Sequence, residues 1–175
     1  IKYLVEKSVK RTLISDVPLS IMLSGGVDSA TILGIAKKKF NKNFKSFSII
    51  DNDDRYNETK NLNLSTKYLK SRNIKLRLSK NFNNNFIKLH DLIDYHFKPV
   101  LTISSFLSSL LTKKINDHNV KVNLSGVGAD EVFSGYYDHT LFYLSVIKNE
   151  KFFHKNFSFW KKNYKRNIRN PFLKN

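Results

Sequence analysis

The chain has 175 residues, 41% of them hydrophobic, no cysteine and a formal net charge of +17. That length allows one sizeable core in one domain, and the missing cysteine excludes a disulfide framework and any thiol nucleophile among these residues. No apolar run of about 18 residues occurs, and the opening Ile1-Lys2-Tyr3-Leu4-Val5-Glu6-Lys7 lacks the apolar core and cleavage site of a secretory signal, so a soluble, cytoplasmic chain with no membrane segment is expected.

A first residue that is Ile rather than Met leads to the expectation of a piece of a longer protein. Leu4, Val5, Val9 and Leu13 recur at helical spacing, which predicts an amphipathic helix over the first fifteen residues that ends before Asp16-Val17-Pro18. Leu19 to Leu23 is a short apolar run between Pro18 and a glycine pair, the pattern of a buried parallel strand. Beyond the glycines, Ile32, Leu33, Ala36 and Phe40 mark one face of a helix whose first turn holds Asp28 and Ser29. Phe47 to Ile50 predicts a second strand, and Glu58 to Leu69 a helix with Leu62, Ser65 and Leu69 inward. Ile74 to Leu78 alternates apolar with basic residues, as a peripheral strand does. Phe82, Phe86, Leu89 and Ile93 predict a further helix. After the Pro99 break, Phe106, Leu107, Leu110, Leu111 and Ile115 predict another. Val120, Val122 and Leu124 then alternate as a strand that runs into Ser125-Gly126-Val127-Gly128. Strands alternating with helices predict an α/β fold with a parallel twisted sheet flanked by helices.

The last 28 residues, 148 to 175, carry nine Lys or Arg against Glu150 alone. Clustered basic residues gain affinity for polyanions by releasing phosphate counterions, so this tail is where a nucleic acid would touch the chain. Across the whole sequence, however, 25 of the 31 basic residues are Lys and a further 20 residues are Asn. That composition matches a bias toward A/T-rich codons, which scatters Lys over solvated faces. Nucleic acid is therefore not the expected partner. The reading is a single domain over 1–147 and a basic, aromatic-containing extension over 148–175 that is a truncated part of it. His90, His96, His118, His139 and His154 show no metal-ligand spacing and read as surface or packing residues.

Ser24-Gly25-Gly26-Val27-Asp28-Ser29 sets two glycines between a strand and a helix N-terminus, where backbone N–H groups and the helix dipole together favour an anion. Gly25 and Gly26 allow close phosphate approach, and the Ser24 and Ser29 hydroxyls can donate to phosphate oxygens. The loop lacks the Gly-Lys-Ser/Thr ending of the common nucleotide loop. Asp28 beside a polyphosphate is intelligible if Mg²⁺ bridges the two, since Mg²⁺ takes one or two carboxylates plus phosphate oxygens and waters. A second segment, Ser125-Gly126-Val127-Gly128-Ala129-Asp130-Glu131-Val132-Phe133-Ser134-Gly135-Tyr136, repeats the design at the end of a later strand. Ligands of open parallel sheets lie beyond the carboxyl ends of the strands, so both loops are expected to line one cleft.

These two segments resemble those of the asparagine synthetases, within the wider group of ATP pyrophosphatases that carry such a pyrophosphate loop. The resemblance also takes in Ser15-Asp16-Val17-Pro18, Ser46-Phe47-Ser48-Ile49 and Tyr56-Asn57-Glu58, and spans roughly residues 1 to 140. It implies an adenine nucleotide alpha hydrolase-like sheet with ATP at the C-terminal strand ends. It further implies that Ser24, Gly25, Gly26, Val27, Asp28 and Ser29 hold the pyrophosphate portion. Leu23, Ile49, Ser125 and Gly126 would border the adenosine largely through backbone atoms. Asp28 and Asp130 carry over as Mg²⁺ ligands meeting at one ion, and Glu131 as a residue near the carboxylate substrate. In such enzymes the side-chain carboxylate of aspartate attacks the α-phosphate, pyrophosphate leaves, and ammonia displaces AMP from the acyl-adenylate. The ammonia would come from an N-terminal glutaminase domain outside these residues, and a homodimer is among the assemblies the resemblance allows.

The sequence also departs from the family pattern. Val127 stands where the family has Glu or Asp, and Lys98 and Thr102 stand near Pro99 where it often has acids. Thr102-Ile103 fits a segment that helps to recognise aspartate, whereas Ser104 replaces an expected arginine. Lys161, Lys162 and Lys165 are candidates for a later lysine that approaches the phosphates. Two other readings follow: a relative that amidates a different carboxylate, of the β-lactam or surface-sugar type, and a degenerate nucleotide-binding module. Tyr136, Tyr137, Phe142 and Tyr143 are expected to cluster behind the second loop.

Overall fold

The computed structural model describes residues 1–54, 56–78 and 82–168, which fall into two compact units, Ile1–Gly126 and Val127–Asn175. In the first unit the elements run α1 (Lys2–Thr12), β1 (Leu19–Met22), α2 (Val27–Lys38), β2 (Lys45–Ile50), α3 (Thr59–Tyr68), β3 (Asn73–Arg77), α4 (Phe82–His96), α5 (Ile103–Asn116) and β4 (Val122–Leu124). The four strands form one parallel sheet in the order β3-β2-β1-β4. The expected α/β class with a parallel, helix-flanked sheet is therefore the class observed.

Strand position explains strand composition. β1 and β2 are internal and are buried on both faces: Ile21 and Phe47 are fully buried, and so are the small polar residues Ser20, Ser46 and Ser48. β3 lies at one edge, where solvent on one side suits its alternation of Ile74 and Leu76 with Lys75 and Arg77. Side chains alternate faces along each strand. Ile21, Leu23 and Ile50 meet Leu33 of α2 and Leu62 and Leu69 of the α3 segment. Phe47, with Met22, Ile49, Ile74 and Leu76 beside it, meets Leu111 and Ile115 of α5 and Val120. α1 closes a third cluster, in which Val9 and Leu13 pack on Ala36, and Glu6 pairs with Lys39. Truncating a buried leucine such as Leu33 to Ala typically costs about 2 to 5 kcal/mol.

Three differences from the sequence expectation have a physical origin. Val120 is buried but precedes β4, and Val122 is exposed because β4 forms the other sheet edge. α4 forms where the spacing predicts it, with Leu89, Leu92 and Ile93 half-buried, but Phe86 on the same helix is exposed. The side chain of Phe82 and the chain end from residue 169 onward lie outside the described residues.

The second unit holds α6 (Ala129–Phe133), α7 (Tyr137–Val146), α8 (Phe153–Asn163) and the short η1 turn (Lys165–Asn167). Its core is Leu144, Ile147, Trp160 and Ile168, flanked by Leu141 and Phe153. Phe153, Phe157 and Trp160 stack at helical spacing, with ring centroids 5.6 and 5.8 Å apart. Among the described residues no helix is long and apolar enough to cross a membrane.

Candidate functional site

The order β3-β2-β1-β4 turns back on itself at β1: the chain leaves β1 through α2 toward β2, yet β4 pairs on the other side of β1. A crevice at the carboxyl ends of β1 and β4 is the topological switch point at which open α/β sheets bind ligands. Register fixes the adjacency, with Ser20 opposite Asn123 and Ile21 opposite Leu124. Ser24 follows directly from β1 and its Leu23, and Ser125 directly from β4, so the two predicted loops leave the sheet side by side.

Leu23 continues the ladder beyond β1, donating its N–H to Phe47 O at 2.8 Å and accepting the Ser48 hydroxyl at 2.6 Å. Its side chain belongs to the core, so it can face a ligand only through backbone. Ile49 is half-buried against Phe47 and its neighbours. The loop then closes upon itself. Ser24 N–H donates to Ser29 Oγ at 3.1 Å, Gly26 N–H donates to Ser24 Oγ at 3.1 Å, and the two serine hydroxyls lie 3.0 Å apart. Ser29 is buried and Asp28 is half-buried in the first turn of α2, with Gly26 at its N-cap. The first N–H groups of a helix have no partner within it, so this turn offers donors where the anion is expected.

Gly126 brings the second loop onto the first. A Cβ at Gly126 would lie 2.8 Å from Ser29 N and 3.0 Å from Asp28 Cβ, so only glycine fits. Gly25 is equally confined on its other side, where a Cβ would come within 2.5 Å of Glu58 Cβ and 2.8 Å of Glu58 O. Its N–H donates to Glu58 Oε2 at 3.0 Å. Gly26, by contrast, would meet only Ser24 Oγ, so the loop is open on that side. Glu58 is a site residue that sequence reasoning did not single out by itself; the signal was its place in Tyr56-Asn57-Glu58.

The remaining predicted residues lie in the second unit. Asp130 folds over Gly135, where any Cβ would overlap the Asp130 carboxylate. Glu131 is exposed and accepts the Tyr136 hydroxyl at 2.7 Å. That hydrogen bond holds the Glu131 carboxyl below its ordinary value and pushes the Tyr136 phenol up. Val127 is 91% exposed. Tyr136, Tyr137, Phe142 and Tyr143 are all exposed rather than gathered into a buried support, and Tyr136 instead packs edge-on against His139 at 5.1 Å. His118 packs on Phe47, and His90 pairs with Asp94 one turn along α4.

The donor set fits a polyphosphate: glycine-lined backbone, a buried serine hydroxyl and helix-start amides around an open side at Gly26. Among the described residues no group of three or more His, Cys, Asp or Glu comes together. A divalent cation here would be held by Asp28 together with phosphate oxygens and waters, the ligand set Mg²⁺ commonly takes.

Comparison with known proteins identifies the family. The family model described as "Asparagine synthase" matches residues 1–172. A putative glutamine-hydrolyzing asparagine synthetase of Methanocaldococcus jannaschii is 30% identical over 139 residues, covering 79% of this chain and 26% of its own length. Asparagine synthetase [glutamine-hydrolyzing] 1 of Bacillus subtilis is 33% identical over 123 residues, covering 70% of this chain and 19% of its own. The chain thus spans about a quarter or less of these relatives. A solved NH3-dependent NAD synthetase from Campylobacter jejuni is 16% identical, with a TM-score of 0.35 over 98% of this chain and 86% of that one, a likeness too distant to add to the family match.

Proposed function

Since this chain belongs to the asparagine synthase family, we propose that it carries the ATP-dependent, amide-forming site of such an enzyme, with the side-chain carboxylate of aspartate as the first substrate to test. The observation that supports the reading best is the packing of Gly126 against Ser29 and Asp28. It brings a strand-ending glycine loop onto the N-terminus of α2 at the switch point of the sheet.

In this reading the substrate carboxylate attacks the α-phosphorus of ATP, pyrophosphate leaves, and ammonia then displaces AMP to leave the amide. Positioning and charge stabilisation are the protein's main tasks in the first step. Ser24, Gly25, Val27 and Ser29 are the proposed donors to the departing pyrophosphate, and Gly26 leaves the loop open to its approach. Leu23, Ile49, Ser125 and Gly126 border the adenosine. Asp28 and Asp130 are proposed as Mg²⁺ ligands on the family pattern, and Glu131 as a neighbour of the carboxylate substrate. Bound Mg²⁺ would neutralise charge on the pyrophosphate. Ammonia delivered by a glutaminase domain, a cytoplasmic location and a homodimer belong to the same proposal.

The test is pyrophosphate release measured over a panel of carboxylates and amines, with Asp28→Asn and Asp130→Asn beside the parent. A charge-assisted contact is worth about 1.5 to 3 kcal/mol, so each substitution is expected to lower release roughly tenfold to hundredfold at about 1.4 kcal/mol per decade. The double variant is expected to lose less than the product if one ion serves both residues. Undiminished release in both single variants would overturn the assignment. A different preferred carboxylate would instead favour the relative that amidates another acid, a reading that Val127 keeps in view.

A further inference from the structure

At the start of α3 Asn57 Oδ1 accepts the Thr59 N–H at 3.0 Å, and Glu58, at the N-cap, makes no side-chain cap bond. Its Oε2 instead accepts the Gly25 N–H at 3.0 Å, reaching a loop 33 residues earlier in the chain. The fit between loop and helix end is close, since a Cβ on Gly25 would collide with both Cβ and O of Glu58 and approach Asn61 Cβ to 3.2 Å. The neighbouring loop amides are satisfied locally by neutral hydroxyls, Ser24 N–H by Ser29 and Gly26 N–H by Ser24. Gly25 is the loop amide held by a charged acceptor from another element.

A phosphate oxygen is an acceptor of the same kind, anionic and drawn to backbone N–H groups at a helix start. Two anions converging on one N–H repel each other. Resting on the nucleotide-site reading above, we propose that Glu58 is the loop's stand-in anion: its carboxylate holds the Gly25 amide in the nucleotide-free chain and yields it when a polyphosphate binds. Glu58 is thus a positioning residue that acts through Gly25. It keeps the loop in the conformation a phosphate needs, and it sets polyphosphate affinity by competition.

The experiment is titration of the full chain with inorganic pyrophosphate in metal-free, low-salt buffer, followed by calorimetry and by the NMR resonance of the Gly25 amide. Glu58→Gln keeps an acceptor and removes the charge, and it is expected to bind pyrophosphate roughly threefold to tenfold more tightly, the size of one screened like-charge contact. Glu58→Asp keeps the charge but withdraws it by one methylene, so a smaller gain is expected. The Gly25 resonances of parent and Glu58→Gln should differ when free and draw together at saturation, because phosphate then replaces residue 58 as the acceptor. A residue that merely braced the loop would weaken binding when altered. Equal or weaker binding by Glu58→Gln, or a parent Gly25 amide that pyrophosphate does not move, overturns the inference and leaves the nucleotide site standing. Binding of neither pyrophosphate nor ATP by any of these chains overturns the nucleotide-site reading and the inference with it.

Discussion

Tyr136 donates its hydroxyl proton to Glu131 at 2.7 Å, and the two side chains shift each other's titration in opposite senses. Because the Glu131 carboxyl is held below its unfolded value, the contribution of this bond is fully present above the unfolded pKa and is lost as pH falls through the folded one. Tyr136→Phe is expected to raise the Glu131 pKa toward the ordinary carboxylate range and to remove that acid-side dependence. An NMR titration of the Glu131 carboxyl checks this, and an unchanged midpoint would contradict the hydrogen bond. At this scale the sequence disclosed some residues and hid others for a clear reason. Asp28 and Ser29 were legible because a strand, a glycine pair and a helix in succession place them in the first helical turn. The bond from Gly25 to Glu58 was not, because it joins two loops that only the packed sheet brings together. The aromatic residues after the second loop read as a cluster from their density alone, but density does not say which of them face solvent.

Elements were most legible where a strand buried on both faces carries a short apolar run. β1 and β2 are such strands, and their apolar runs located them to within about two residues, the usual uncertainty of element ends. The edges were less legible, since β4 starts after Val120 and α4 turns Phe86 outward. Between the internal strands lies a polar feature that periodicity does not reveal. Ser48 is buried, donates to Leu23 O at 2.6 Å and accepts from Asn73 Nδ2 at 2.8 Å, which ties β2 to the end of β1 and to β3. Ser48→Ala leaves the Leu23 carbonyl and the Asn73 amide each short of a partner. It is expected to cost about 1 to 3 kcal/mol of stability, measured by urea unfolding. A change below about 0.5 kcal/mol would place the site among ordinary surface-like substitutions and contradict a tie between the strands.

For the whole molecule, the charge of +17 is the most conspicuous number in the sequence and says least about function: residues 148–175 hold nine Lys or Arg against Glu150 alone, and the rest is spread along the chain. The order of loops along the sheet says more. It fixes which strand ends adjoin. Val127 is exposed, at a position where the family resemblance implies an acid, and in the proposed reaction it would bear on the second chemical step rather than the first. Val127→Glu is expected to raise amide formation from ammonia more than pyrophosphate release, because a proton acceptor matters when the amine attacks. Equal gains in both would remove that assignment. In the proposed reaction the protein activates a carboxylate by joining it to AMP. The most direct measurement supplies a carboxylate labelled with heavy oxygen, together with ATP, Mg²⁺ and ammonia, and follows the label by mass spectrometry. One labelled oxygen in AMP is expected for each amide formed. Amide formed with the label in inorganic phosphate, or AMP released without any label, would contradict it.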